Sequence, residues 1–228
     1  MRKLSTALFS ACIALMPVRA SAQLPPYVPQ DNLVGWWPFT GNADDISGNA
    51  HHGTLNGAVL AADRFGMNDR AYAFNGTSDH IEVADAPALR LGDASYTIAW
   101  WAQVNTYNAN ATAFVVKRGA GSNNGWMVVA NGSYGNKIEM KTSSGADPEI
   151  RCDTAMVTGS WFHFAIVTDV AVDSIYFFAN GSEVYRQASG GLYYNPNSTT
   201  PMRFGSDTSI PAGTYFLLVS HSPAQLLP

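Results

Sequence analysis

From Asn32 onward, short runs of aromatic and β-branched residues are separated every ten or so positions by clusters of Gly, Asn, Asp and Ser, the pattern of strands and turns in a sandwich or barrel. No helix-length stripe with a period of about 3.6 residues interrupts it. The pattern predicts strands at Leu33–Phe39, Ala71–Asn75, His80–Val83, Tyr96–Val104, Thr112–Lys117, Trp126–Ala130, Lys137–Thr142, Glu149–Asp153, Trp161–Thr168, Ser174–Ala179, Glu183–Gln187 and Pro201–Gly205. Ile98, Trp100, Ala102 and Val104 alternate with Ala99, Trp101, Gln103 and Asn105, so one face of each strand is expected to be buried. Asn180-Gly181 falls between two such runs and predicts a two-residue hairpin, because both residues tolerate a positive φ.

The same alternation sorts the tryptophans. Trp36, Trp100 and Trp161 are expected in the core, where large aromatics usually go. Their neighbours Trp37 and Trp101 should then point the other way. If that outer face is the concave one, Trp37, Trp101, Trp126 and the loop residues Tyr193 and Tyr194 are the candidate ligand-binding set, since an aromatic face stacks on the apolar side of a pyranose ring.

Residues 1–22 change the picture of where the chain works. Arg2 and Lys3, an apolar run, and Ala20-Ser21-Ala22 have the three-part layout of an export signal. The run from Leu4 to Val18 is short for a bilayer span and is broken by Pro17 and Arg19. Phe9-Ser10-Ala11-Cys12 lacks the leucine that lipid attachment at Cys12 usually requires. The chain is therefore expected to be secreted, extracellular or periplasmic and in association with the cell surface or free of it. Residues 23–31, with Pro25, Pro26 and Pro29, read as an extended linker, and 32–228 as one domain.

Charge and cysteines narrow the partners. The chain has 13 basic and 17 acidic residues, and Arg2, Lys3 and Arg19 leave with the leader, so the domain is acidic and nucleic acid and anionic membranes are disfavoured. Only Cys152 lies beyond the leader, which precludes an internal disulfide.

Leu33-Val34-Gly35-Trp36-Trp37-Pro38-Phe39 leads into Asn42-Ala43-Asp44-Asp45-Ile46-Ser47-Gly48-Asn49 and His52-Gly53-Thr54. After it come Ala71-Tyr72-Ala73-Phe74-Asn75-Gly76, Tyr96-Thr97-Ile98-Ala99-Trp100-Trp101, Trp161-Phe162-His163-Phe164-Ala165 and Ile175-Tyr176-Phe177-Phe178-Ala179-Asn180-Gly181. This ordered set resembles the bacterial laminin-G-like domains of the concanavalin A-like lectin/glucanase superfamily. The resemblance implies an all-β, two-sheet antiparallel jelly-roll sandwich. It departs at the end, where the family's closing glycine–x–isoleucine–aspartate–aspartate strand is missing after Asp207. Either a diverged strand at Thr214–Ser220 replaces it, or the fold is left incomplete beyond Ile210 with a sheet edge unpaired.

The acidic loop 42–49 offers hard oxygen ligands of the kind calcium takes, although Asp and Asn in such loops also bond their own backbone to form turns. The resemblance implies a structural calcium near this loop. Asp45 best matches the family's aspartate, and the backbone around Asn75-Gly76 with Asp44 or Asp79 would complete the site.

Catalysis is poorly supplied. Glycoside hydrolysis needs two carboxylates about 5 to 10 Å apart, and Glu82, Glu139, Glu149 and Glu183, the chain's only glutamates, lie in no closely spaced triad. Asp147 and Glu149 share a parity, the pattern of a solvated loop. His51-His52 have no Cys or His companion at zinc spacing, His163 in its strand reads as a satisfied structural histidine, and Cys152 as a small buried residue. The expected function is that of a non-enzymatic, secreted recognition module for a glycan or an extracellular protein, with calcium as a structural ion. A sandwich-fold glycoside hydrolase and a structural fragment of a larger surface adhesin are the alternatives.

Overall fold

A computed structural model describes residues 24, 26, 28, 30–91, 94–107, 111–119, 124–144, 149–188, 190, 198–205 and 217–220. Its strands are β1 (Gly53–Asn56), β2 (Val59–Ala61), β3 (Ala71–Ala73), β4 (His80–Val83), β5 (Tyr96–Val104), β6 (Ala111–Arg118), β7 (Asn124–Asn131), β8 (Lys137–Ser144), β9 (Glu149–Ala155), β10 (Trp161–Asp169), β11 (Ser174–Ala179), β12 (Ser182–Ala188), β13 (Met202–Phe204) and β14 (Leu217–Ser220). They form two seven-stranded sheets. The front sheet runs β1-β4-β13-β6-β7-β8-β9 and the back sheet β12-β11-β10-β5-β14-β3-β2. Pairing between these strands is antiparallel throughout, as the jelly-roll expectation requires. No helix among the described residues is long and apolar enough to cross a membrane.

The alternation along β5 becomes a core. Trp100, Ala102 and Val104 are buried between the sheets, while Ala99, Trp101 and Gln103 face out. Trp100 stacks on Phe164 of β10, its cross-strand partner, with ring centroids 5.6 Å apart, and meets Phe114 from the front sheet. At the predicted hairpin Ala179 pairs with Ser182, and Asn180 and Gly181 both have positive φ.

Three features differ from the sequence pattern. Leu33–Phe39 is not a regular strand: Pro38 has no N–H to give a ladder and Phe39 sits at φ 53°, so the segment crosses the core irregularly. Alternation therefore fails there. Second, β1 and β2 had no signal, being short, exposed edge strands without a buried face. Third, the end of the chain does supply a closing strand. β14 lies inside the back sheet, with Leu217–Ser220 opposite Val104–Trp101 of β5 and Val219 and Ser220 opposite Tyr72 and Ala71 of β3. This favours the diverged strand over the incomplete fold.

Candidate functional site

The front sheet is buried on both faces at its centre. Phe114, Trp126, Val128, Ala130, Ile138, Met140 and Ile150 face the core. Alternation in β7 and a bulge in β6 between Ala113 and Val115 turn Ala113, Val116, Met127 and Val129 the other way, yet each is under 7% exposed and the four pack as a cluster of their own. Cross-strand register continues this outer face to both sides. One row reads Glu82, Arg203, Val116, Met127, Lys141 across β4, β13, β6, β7 and β8. A second reads Ala113, Val129, Glu139, Arg151 across β6 to β9. The result is an apolar floor between two polar walls.

The walls are built from paired charges. On one side Arg203 donates from Nε and Nη2 to the same oxygen of Glu82, at 3.0 and 2.8 Å, with His80 Nε2 4.0 Å from it. On the other, the Glu139 side chain is fully buried. It accepts from Asn131 Nδ2 at 2.8 Å and from Arg151 Nε, with Lys141 Nζ 3.6 Å away. Those partners are what permit a carboxylate to be buried at all. The Arg151 guanidinium also lies 3.4 Å from the centroid of Tyr134, an exposed ring in the Gly132–Tyr134 turn, which leans that ring over this face. The turn is set by Asn131 Oδ1, which accepts from Ser133 N. Glu82 and Glu139 are four strand spacings apart, roughly 19 Å, too far for the paired acids of a glycosidase. Asp153, nearer on β9, is tied to Lys137 at 2.8 Å.

The acidic loop is closed on its own hydrogen bonds. Asp45 Oδ1 accepts from the backbone N–H groups of Trp36 and Ser47, and Oδ2 from the Ser47 hydroxyl and the His51 N–H, all at 2.9 Å. Four donors fill the lone-pair directions of a carboxylate. Burial alone would raise this group's pKa, but the hydrogen bonds from Ser47, Trp36 and His51 outweigh it and hold Asp45 below the ordinary carboxylate value. Its backbone N–H is accepted by His52 Nδ1, which ties the loop to the residue before Gly53. Asp44 accepts from Asn42 Nδ2, and Asp79 from the Asn75 N–H, inside a turn in which Asn75 Oδ1 takes the N–H groups of Thr77, Ser78 and Asp79 around Gly76. No three His, Cys, Asp or Glu side chains among the described residues are grouped as a metal site. An ion at Asp45 would have to displace those donors. The melting temperature by circular dichroism is expected to be the same in calcium as in excess chelator. A rise of several degrees with calcium would show that the loop rebuilds itself around the ion.

The expected aromatic platform is dispersed. Trp126 is 3% exposed, faces the core, and donates from Nε1 to the Leu89 carbonyl. Trp37, expected outside, packs edge-on against core residue Phe204 and donates to the His51 carbonyl. The irregular backbone at 33–39 explains the reversal. Trp161, expected inside, pairs with outward-facing Gln103, because Phe162, Phe164 and Ile166 take the core side of β10. Trp101 does face outward, but from the back sheet. Tyr193, Tyr194 and Asp147 lie outside the described residues. His163 is buried beside Trp101 with Nδ1 unpartnered, so it is not the satisfied histidine its strand position suggested. Cys152 is buried as expected, and burial raises its thiol pKa despite the backbone hydrogen bonds of Thr154 and Ile138.

A two-sheet antiparallel sandwich of this kind is the fold of lectin-like domains and of glucanases alike. The chain belongs to the laminin-G-like domains of the concanavalin A-like lectin/glucanases superfamily, whose family pattern matches residues 75–217. Comparison with curated proteins found no match. Among solved structures it is similar to the binding domain of Paraclostridial mosquitocidal protein 1, with 16% identity and a TM-score of 0.65 over 83% of this chain and 48% of that one. Domain 4 of a GH43 extracellular arabinanase from Geobacillus stearothermophilus, solved with arabinotriose, gives 15% and 0.60 over 82% and 91%. The binding domain of botulinum neurotoxin DC, solved with rat synaptotagmin II, gives 12% and 0.63 over 84% and 47%. The chain spans about half the length of the two toxin domains. At these identities the likeness is one of fold.

Proposed function

We propose that the domain is a secreted, non-catalytic recognition module that binds a glycan along the outer face of the front sheet. The observation that carries this reading is the buried outward floor of Ala113, Val116, Met127 and Val129 between the Glu82–Arg203 and Glu139–Arg151 walls. The four floor side chains are already covered, so contacts to a sugar fall to the walls, which offer donors and acceptors for its hydroxyls. Tyr134, half exposed at the end of the trough, adds a ring on which a sugar can stack. Support for a binding role also comes from the arabinanase domain solved with a sugar and the toxin domain solved with a protein receptor. The three-part pattern of residues 1–22, expected to be an export signal, is the support for secretion. Glu139 is engaged by Asn131, Arg151 and Lys141 and so is not aimed at a reacting group, which favours recognition over hydrolysis.

Titration calorimetry with a panel of oligosaccharides beginning with arabinotriose tests the reading. Tyr134→Ala and Arg203→Ala alter the rim and leave the core intact. Each is expected to weaken binding about tenfold, the cost of about 1.4 kcal/mol typical of an interface aromatic or arginine. Affinity unchanged in both variants, or hydrolysis of the panel, would refute it.

A further inference from the structure

The outer face of the back sheet holds an arrangement that neither the core nor the front trough uses. Trp101 and His163 are cross-strand partners on β5 and β10, with ring centroids 5.3 Å apart at 49°. The backbone of His163 is clamped to the hairpin, its N–H donating to Asn180 Oδ1 and its carbonyl accepting from the Asn180 N–H. Both rings carry a buried nitrogen without a hydrogen-bond partner, Nε1 of Trp101 and Nδ1 of His163. Buried polar atoms are normally paired, and each that is not destabilises the fold. Two on adjacent side chains of one face are a standing expense that a ligand would remove.

One face of Trp101 is already occupied. The Arg64 guanidinium lies 4.1 Å over the Trp101 ring and 4.1 Å from the Phe65 ring. A flat, hydrogen-bonding group at stacking distance on a tryptophan face occupies the place a sugar ring would take. Its loop is small. Asp63 Oδ1 accepts from the Phe65 and Met67 N–H groups, and Gly66 turns at φ 76°. Phe65 and Met67 are 64% and 49% exposed, so swinging the loop aside uncovers little that is now buried.

We propose that Trp101 and His163 form a second binding site, on the back sheet, for a saccharide unit, and that Arg64 stacks in the ligand's place until it is displaced. The ring would lie on Trp101, with one hydroxyl accepting from Nε1–H of Trp101 and donating to Nδ1 of His163. That last bond needs a neutral imidazole. Burial first, and then the charge of Arg64, lower the His163 pKa to about 4, which keeps the ring neutral at pH 7.

Because Arg64 competes with the ligand, Arg64→Ala is expected to bind more tightly than wild type. The cation–π contact with Trp101 by itself sets a gain of at least about 3-fold. The test is tryptophan fluorescence titration of wild type, Arg64→Ala and the double variants Arg64→Ala/His163→Phe and Arg64→Ala/His163→Gln with arabinotriose, cellotriose and sialyllactose. At least one of the three sugars should show the gain with Arg64→Ala and lose it in whichever double variant folds. Tyr134→Ala separates the two sites, since it should leave this binding unchanged even if the front trough proves empty. Equal affinity in wild type and Arg64→Ala, no binding of any of the three at millimolar concentration, or a gain that survives both histidine changes would overturn the proposal.

Discussion

Deleting the segment from Leu217 onward is expected to abolish the cooperative thermal unfolding of the domain. β14 is an interior strand, placed between β5 and β3. Without it, Val104–Trp101 of β5 and Tyr72 and Ala71 of β3 lose their ladder partners, and the β3–β2 pair loses its strand connection to the rest of the back sheet. Tyr72, 1% exposed and edge-on to Phe39 at 5.3 Å, depends on β3 staying in place. A domain with about 5–15 kcal/mol of net stability cannot absorb the loss of a central strand together with one side of its core. Two newly unpaired strand edges also invite aggregation. Circular dichroism melting of the shortened chain checks this. A transition as sharp and as high as that of the full chain would mean that the ladder at 217–220 contributes nothing.

The second large effect is at the end of the sandwich. The side chain of Lys117 is fully buried, on the same side of β6 as its partner Trp126 is of β7, and its Nζ donates to Asp85 Oδ1 at 2.5 Å and to the Thr200 carbonyl at 2.7 Å. Burial pulls the Lys117 pKa down despite Asp85, so the ammonium depends on that carboxylate. Asp85→Ala removes it and leaves a buried charge uncompensated, at an expected cost of about 3–5 kcal/mol. The pH dependence has a definite sign. Hydrogen bonds from Arg90 first, then Lys117, lower the Asp85 pKa to about 2. A depressed carboxylate pKa contributes stability that is complete above the unfolded value of about 3.9 and is lost as pH falls through the folded value. Wild type should therefore lose stability between about pH 4 and pH 2. Urea unfolding of both proteins across that range should show Asp85→Ala lacking this component of the acid loss, and a variant as stable as wild type at pH 7 would count against the buried pair.

Much of the sandwich was legible because its interior strands alternate. The bounds of Tyr96–Val104 and Ser174–Ala179 follow from period two alone, and the Asn180-Gly181 turn from the two residues that accept positive φ. Alternation misled where the backbone departs from it, at Pro38 and Phe39, and where two apolar residues stand in adjacent positions. In Trp161-Phe162-His163-Phe164 either parity could be the core, and only the pairing of Phe164 with Trp100 decides it. The front trough was half visible. Glu139 and Lys141 alternate with Ile138 and Met140, and Arg151 with Ile150 and Cys152, which puts the charges on one face of each strand. What brings Glu139 opposite Arg151 is strand register, a long-range property that no local spacing encodes. The acidic loop shows the converse. Its composition suits calcium, but the direction of the backbone N–H groups around Asp45 exists only in the folded loop.

The central claim, that the front sheet's outer face is the recognition surface, is tested most directly by locating a bound sugar. Backbone amide chemical shifts of the labelled domain should be followed during titration with the tightest oligosaccharide of the panel, using Arg64→Ala as background so that the back-sheet site is mapped in the same experiment. A contiguous set of perturbed amides is expected along β6, β7 and β8 around Val116, Met127, Val129 and Glu139, extending to Tyr134 and Arg203. Perturbations confined to the back sheet around Trp101 and His163, or to the loops at 42–49 and 75–79, would contradict it.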